Sequence, residues 1–242
     1  YNKYIRSIIK IPYNFIKLFN ISTNFKFGIL NIQDYLKFIY KFKNIKNQTE
    51  IKQIDQHLAQ SRYAYDYLKK YFKNILFLSD FQRSEVLNKS KIKVYKKKNL
   101  VCYSSKSNEF IQKIKETTNF NMIKLAGMNT NEIINTFKKT KVYLDFGYHP
   151  GKDRMPREAA LFNNCIITNK KGSALNNYDI PINSKYKFKE SNSNLDKIKI
   201  QIEKFFKDYN TEVKKFKRYK KIILKEELKF KKDLKKVFHK PL

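Results

Sequence analysis

Short apolar runs alternate with helical patterns between residues 100 and 168. The apolar runs have the length of buried strands, and the segments between them repeat apolar residues at helical spacing. We predict strands at 100–104, 122–126, 142–146 and 165–168, and helices at 108–117, 130–138 and 156–162, with Ser107 or Asn108 and Asn129 or Thr130 as N-caps of the first two helices. Repeated β–α units favour an α/β protein with a Rossmann-like parallel sheet and right-handed crossovers.

The strand pattern is weaker before residue 99. Residues 53–70 repeat apolar positions at helical spacing, and only one short apolar run in this region has the character of a buried strand. We predict helices at 53–70 and 81–87, a strand at 75–78 and a Lys-rich linker at 89–99. Residues 1–95 are therefore expected to form an incomplete N-terminal domain.

Residues 1–50 are Lys-rich and carry an irregular apolar stripe broken by Pro12. The stripe is typical of an inserted docking helix with a solvated lysine face, or of a basic helix lying on a membrane surface. Because the chain begins at Tyr1 rather than Met, we expect the start of this domain to be missing.

Residues 96–190 hold the predicted Rossmann-like domain, and residues 191–242 follow it as a helical region. Two apolar faces run through that region, with lysines between them that are typical of a solvated face. The faces consist of Leu195, Ile198, Ile202, Phe205 and Tyr209, and then of Tyr219, Ile223, Phe230, Leu234 and Val237.

The net charge of +32 suggests nucleic acid or an anionic surface as a partner, but its make-up argues against a dedicated nucleic-acid reader. Of the 53 basic residues only six are Arg, the residue that makes forked contacts to bases and phosphates. The excess of Lys and Asn instead indicates a general compositional bias. The scarce residues are then informative, and four of the five Gly lie between residues 127 and 172.

The cysteines and histidines indicate no metal site or disulfide framework. Cys102 and Cys165 each lie in an apolar run, as buried free thiols of a reducing compartment do. His57, His149 and His239 are isolated in the sequence, so no metal-ligand spacing is present. No run of 18 apolar residues and no signal peptide is visible, and we expect a cytoplasmic protein.

The candidate chemistry lies in residues 145–158, which follow one predicted strand and lead into a helix. Gly147 and Gly151 allow close backbone turns, and Pro156 suits the first turn of a helix whose free amides favour an anion. Cations gather at the same end of that helix, together with one carboxylate: Lys152, Arg154, Arg157 and Glu158. These groups suit a nucleoside diphosphate, with the carboxylate on the ribose hydroxyls. The alternative is a charged helix start whose side chains pair with their neighbours.

Residues 157–168 (REAALFNNCIIT), followed by 171–174 (KGSA), resemble the donor-site stretch of GT-B glycosyltransferases. More narrowly, residues 57–64 (HLAQSRYA), 145–154 (DFGYHPGKDR) and 172–181 (GSALNNYDIP) resemble a group of bacterial proteins identified as glycosyltransferases. The resemblance implies a GT-B fold and transfer of a sugar from a nucleotide-diphosphate donor to a glycan or lipid-linked acceptor, in surface polysaccharide synthesis. It implies no cofactor, and it places residues 1–95 on the acceptor side with the C-terminal helices packing back across the cleft.

The resemblance also implies roles for individual residues. Glu158 matches the glutamate that binds the donor ribose, and Gly172 and Ser173 match the loop that faces the donor. The predicted substrate-binding residues are Lys106, Gly151, Lys152, Arg157, Glu158, Gly172 and Ser173, and the predicted catalytic residues are His149 and Arg154. His149, between two glycines, is either a donor contact or a hydrogen-bonded turn residue.

One position departs from the pattern of retaining GT-B enzymes. Many of them carry a second glutamate eight residues before the ribose glutamate, where this chain has Pro150. The stereochemical outcome is therefore left open. Alternatives are a nucleotide-sugar epimerase or a phosphorylase on the same fold, and a basic protein that binds nucleic acid or makes peripheral contact with the inner face of the membrane.

Overall fold

A computed structural model describes residues 27–29, 54–91, 96–107 and 109–238. The helix expected within residues 1–50 falls outside these ranges. Of those fifty residues the structure describes only 27–29, which form a short strand. The elements in chain order are β1 (Phe27–Ile29), β2 (Gln56–Ala59), α1 (Arg62–Leu68), β3 (Ile75–Phe77), α2 (Ser84–Ser90), β4 (Lys98–Ser104), α3 (Phe110–Glu116), β5 (Met122–Leu125), α4 (Thr130–Lys139), β6 (Thr140–Asp145), α5 (Arg154–Leu161), β7 (Cys165–Asn169), β8 (Lys187–Phe188), α6 (Leu195–Lys207), α7 (Tyr209–Glu212), α8 (Lys217–Leu224) and α9 (Glu226–Phe238).

A five-stranded parallel sheet forms the centre of the molecule, with the strand order β5-β4-β6-β7-β8. Val101 of β4 lies opposite Met122 of β5 on one side and Val142 of β6 on the other. The three inner strands are apolar on both faces, as expected for a parallel sheet covered by helices. The predicted α/β class and Rossmann-like parallel sheet are confirmed.

Local capping explains where helix α4 begins. The side chain of Asn129 accepts the amides of Asn131 and Glu132, and Glu132 bonds back to the Asn129 amide, which completes a capping box for α4. Of the two caps predicted for α3, Ser107 is wrong, because that helix begins after Glu109, and Asn108 lies outside the described residues. The hydroxyl of Ser107 instead accepts the amide of Phe146 at 3.3 Å.

The N-terminal part contains more sheet than the sequence indicated. Strands β1, β2 and β3 form a second parallel sheet, so the prediction of one strand before residue 99 is wrong. The helix predicted at 53–70 is also wrong in its first half, where Gln56–Ala59 is a buried strand. Ser61 ends that extended segment and caps α1 by accepting the amide of Ala64.

The long C-terminal helices predicted from residue 195 onward are confirmed. Helix α8 packs on α5, and α9 reaches the N-terminal sheet, where Leu234 and Val237 pack against Leu58 and Leu78. The last helix therefore contacts the N-terminal sheet directly, and α8 links it to α5, which packs on the five-stranded sheet. Within the described ranges, no helix is both long and apolar enough to cross a lipid bilayer.

Candidate functional site

The segment between β6 and α5 is held against both neighbouring strands at the carboxyl edge of the five-stranded sheet. A side chain at Gly147 would place its Cβ 3.0 Å from the carbonyl oxygen of Lys106, in the loop after β4. The carbonyl of Gly147 accepts a 2.6 Å hydrogen bond from Asn169 at the end of β7. Ligands of doubly wound folds bind at this edge, so the segment lies where the sequence placed the site.

His149 is fully buried inside this segment, between two carboxylates. Its Nδ1 lies 2.8 Å from Oδ2 of Asp153, and its Nε2 lies 3.6 Å from Oδ1 of Asp145. Burial alone would lower the pKa of His149, but the charges of Asp145 and Asp153 outweigh it and raise that pKa above its ordinary value. The imidazole is thus enclosed, and its nitrogens are not exposed to a ligand in this conformation.

Asp145, which begins one of the quoted motifs but was given no role there, anchors the base of the segment. Its Oδ2 accepts a 2.5 Å hydrogen bond from the hydroxyl of Tyr143, and its Oδ1 accepts the amide of Gly147 at 3.3 Å. Burial raises the pKa of this carboxyl group. Asp145 therefore connects the end of strand β6 to the loop that contains His149.

Gly172 and Ser173 pack against the backbone of this segment at His149 and Gly151. Gly172 has a φ of +57°, and a Cβ at this position would lie 2.0 Å from the carbonyl oxygen of His149. The Ser173 amide donates to that same carbonyl at 2.8 Å, while its hydroxyl donates to the carbonyl of Gly151 at 2.5 Å. Both residues were expected to face a donor. Because Ser173 is fully buried and its groups are used internally, its direct contacts here are with the protein.

Two of the cationic side chains that were expected to bind the diphosphate form ion pairs inside the protein. Arg157 is buried and donates to Glu226 at 3.0 Å and to Asp80 at 2.9 Å. The Lys152 ammonium lies 2.6 Å from Glu226 and donates to the Ser79 hydroxyl at 3.0 Å. For these two residues the alternative interpretation, a charged helix start paired with its neighbours, fits the structure better than direct contact with a ligand.

Arg154 and Lys106 remain accessible at the same edge of the sheet. The Arg154 side chain is 46% exposed, and that of Lys106 is 63% exposed. Lys106 lies 3.8 Å from Asp153, the N-cap of α5, whose side chain makes no hydrogen bond to the amides of the first helical turn. Two exposed cations and the N-terminus of α5 therefore lie at the same edge of the sheet, beside the carboxylate of Asp153, and a helix N-terminus favours an anion.

Glu158 lies one turn into α5 and is nearly enclosed, with 1% of its surface exposed. Burial raises the pKa of its carboxyl group, and nearby Arg154 and Arg83 partly offset this effect. Its Oε1 lies 3.2 Å from Nε of Arg154 but has no well-aligned hydrogen bond among the described residues. This oxygen has unused acceptor capacity, but like the His149 nitrogens it is enclosed in this conformation.

The N-terminal sheet meets the same segment with the carboxyl ends of its own strands. After β2, Gln60 places Oε1 3.0 Å from the Cβ position of Gly151. After β3, Ser79 and Asp80 contact Lys152 and Arg157. The two parallel sheets therefore face each other across residues 145–158.

Several residues that build this junction were missed in the sequence: Gln60, Asp80, Asp179 and Glu226. Gln60 and Asp179 lie inside two of the quoted motifs, which offered a weak signal for them. Asp80 and Glu226 are ordinary acids in a Lys-rich chain, Glu226 being the first of two adjacent glutamates, and nothing in their local sequence distinguishes them. Within the described ranges, no group of three or more His, Cys, Asp or Glu side chains is placed to hold a metal ion.

Comparison with known proteins gives no match of any of three kinds. No family model matches the chain, and no curated protein or solved structure shows significant similarity to it. The function of the chain is therefore inferred from the geometry of the site.

Proposed function

We propose that the protein is a glycosyltransferase of the GT-B type that uses a nucleotide-diphosphate sugar as donor. The observation that carries the proposal is that two separate parallel sheets direct their carboxyl ends at one segment, residues 145–158. Each such edge is a ligand-binding position in doubly wound folds, and two facing edges provide sites for a donor and an acceptor.

In this proposal the donor diphosphate lies at the start of α5. Arg154 and Lys106 supply the mobile positive charges, and the first amides of α5 supply fixed donors. As the sugar bond breaks, charge develops on the departing diphosphate, and preorganised donors at that position stabilise it. Loss of one such donor typically lowers the rate about 10²–10³-fold. Glu158, whose Oε1 is enclosed but has no hydrogen-bond donor among the described residues, accepts a ribose hydroxyl once the Arg154 side chain that lies against it moves onto the diphosphate.

The buried residues of the segment act by positioning the accessible ones. Lys152 and Arg157 fix the start of α5 through Glu226 and Asp80. His149 holds the turn between Asp145 and Asp153, so we assign it a positioning role instead of the donor contact expected from the sequence. Gly151, covered by Gln60, lets the two sheets approach closely.

Thermal unfolding with nucleoside diphosphates tests the donor half of the proposal. We expect a saturable rise in melting temperature with a nucleoside diphosphate, since a ligand that binds only the folded state stabilises it. Arg154→Ala and the isosteric Glu158→Gln should abolish this rise. Arg218→Ala, which removes an exposed arginine on α8, is the matched control and should leave it unchanged.

Product analysis with a radiolabelled nucleotide sugar tests the transfer itself. We expect release of the nucleoside diphosphate that depends on an added glycan or lipid-linked acceptor. An isomerised nucleotide sugar formed without acceptor would instead identify an epimerase. Undiminished nucleotide stabilisation in both the Arg154 and Glu158 variants would show that the donor site lies elsewhere.

A further inference from the structure

The C-terminal helices carry two exposed leucines in the middle of a lysine surface. Leu224 at the end of α8 is 47% exposed, and Leu228 in the first turns of α9 is 64% exposed. Lys225 joins the two helices with φ −98° and ψ −3°, in the right-handed region, so these leucines, four positions apart, lie about one turn apart. Exposed lysines at 221, 225 and 232 share that face, opposite the buried Tyr219, Ile223 and Leu234.

The acids of this region do not neutralise the lysines of that face. Residues 217–238 contain ten basic and three acidic residues. Glu226 points inward to Arg157 and Lys152, while Glu227 and Asp233 pair with Lys231 and Lys229. Within the described part of the chain, Lys221, Lys225 and Lys232 have no carboxylate at ion-pair distance.

We propose that the surface formed by Lys221, Leu224, Lys225, Leu228 and Lys232 docks on an anionic lipid bilayer. Lysines that surround exposed apolar residues match both components of such a membrane, its negative headgroups and its acyl boundary. A second copy of the chain does not fit, because it would bring the same positive surface against this one. Nucleic acid would use the lysines but offers no apolar layer for the two leucines.

The lysines alone would not support this proposal, because lysine is abundant throughout the chain. The leucines distinguish this surface, since a solvated lysine face does not require large apolar side chains at its centre. The binding would be peripheral, with the two leucines at the depth of the headgroups. It does not depend on the proposed glycosyltransferase activity, but it would bring the enzyme to a lipid-linked acceptor.

Co-sedimentation of the full chain with lipid vesicles tests the proposal. We expect binding to vesicles made of equal parts phosphatidylglycerol and phosphatidylcholine, weak binding to pure phosphatidylcholine, and a decrease with rising salt. The double variant Leu224→Ser and Leu228→Ser should lower the partition coefficient about tenfold or more. Each of Lys221→Gln and Lys225→Gln should lower it about fivefold.

The matched control is Ile200→Ser on α6, which removes an apolar side chain of similar exposure, 63%, from a different surface. It should leave vesicle binding unchanged. All of these positions are exposed, so the variants should keep the circular dichroism spectrum and melting temperature of the parent. Equal vesicle binding by the leucine variant and the parent would overturn the proposal. Preferential binding to duplex DNA, unaffected by the leucine changes, would also overturn it and assign the surface to nucleic acid.

Discussion

The carboxylate of Asp179 accepts the backbone amides of both Arg62 and Tyr63, at 2.8 and 2.9 Å. These are the first two amides of α1, and the next amide, that of Ala64, bonds to the Ser61 side chain. The start of a helix in the N-terminal part is therefore completed by a residue more than a hundred positions further along the chain. This contact joins two of the three motifs that the sequence singled out.

Asp179→Ala should destabilise the protein by about 2–3 kcal/mol, because it leaves two amides of α1 without their charged acceptor. Asp179→Asn keeps one oxygen and should cost less. Ser61→Ala, which removes the local cap on one amide, should cost about 1 kcal/mol. Urea unfolding of the three variants provides the comparison. Equal losses for Asp179→Ala and Ser61→Ala would show that the distant carboxylate adds little.

Gly172→Ala should destabilise the protein far more than Gly127→Ala. Both glycines have positive φ, +57° and +70°, so both alanines carry a backbone cost of about 1–2 kcal/mol. Only at Gly172 does the new methyl group collide with the backbone, at the His149 carbonyl, whereas nothing lies within 4 Å at Gly127. Thermal melts should show a small decrease for Gly127→Ala and a large one, or loss of folded protein, for Gly172→Ala. Similar melting temperatures would contradict the packing at Gly172.

Glu226→Gln should cost about 3–5 kcal/mol of unfolding free energy, because it leaves the buried cations Arg157 and Lys152 without their shared partner. Asp233→Asn is the control, since it removes an ion pair to Lys229 whose ammonium is largely exposed. That change should cost less than about 1 kcal/mol. Denaturant unfolding distinguishes the two variants. If they proved equally stable, the buried cluster would not hold α9 in place.

His149 should make the stability of the protein depend on pH above the ordinary histidine pKa of about 6.5. Because its folded pKa is raised by Asp145 and Asp153, its contribution is fully present below that value. The contribution is lost as the pH rises through the folded pKa. Urea unfolding of the parent and of His149→Asn should therefore show a difference in stability that shrinks as the pH rises above about 6.5.

Two lysines titrate in the same window with the opposite sign. Burial lowers the pKa of Lys97 to about 7 and that of Lys187 to about 8. Both are present in the parent and in the variant, so their contributions cancel in the difference. A difference that stays constant or grows with pH would show that the imidazole is not charged between its two carboxylates.

The central sheet could be predicted from the sequence because each of its inner strands is a short apolar run that ends in a turn signal. Strand β2 could not, since Leu58, Ser61, Tyr65 and Leu68 also fit helical spacing. Its extended form depends on parallel pairing with β1 and β3, which lie about 20 to 30 residues away in sequence. Local patterns cannot report such a partner.

The position of the candidate site could be predicted from the sequence. Which of its cations form ion pairs inside the protein and which stay exposed could not. Gly, Pro and Arg are scarce in this chain, and their gathering around residues 147–157 predicted a ligand-binding segment, which lies at the junction of the two sheets. The sequence could not show that Arg157 and Lys152 would be neutralised, because Asp80 and Glu226 reach them from 69 or more positions away. Arg154 and Arg157 look alike in the sequence, and only the packing distinguishes the exposed cation from the buried one.

Because of Glu226, sequence changes in α9 and in the candidate site should depend on each other during evolution. A chain that lost this carboxylate would leave Arg157 with Asp80 alone and Lys152 with no ion-pair partner among the described residues, so substitutions at 226 should be found together with changes at 152 or 157. The same dependence limits how the protein can be shortened. Removing α9 would also remove Glu226, so Lys152 and Arg157 next to the site would lose the carboxylate that they share.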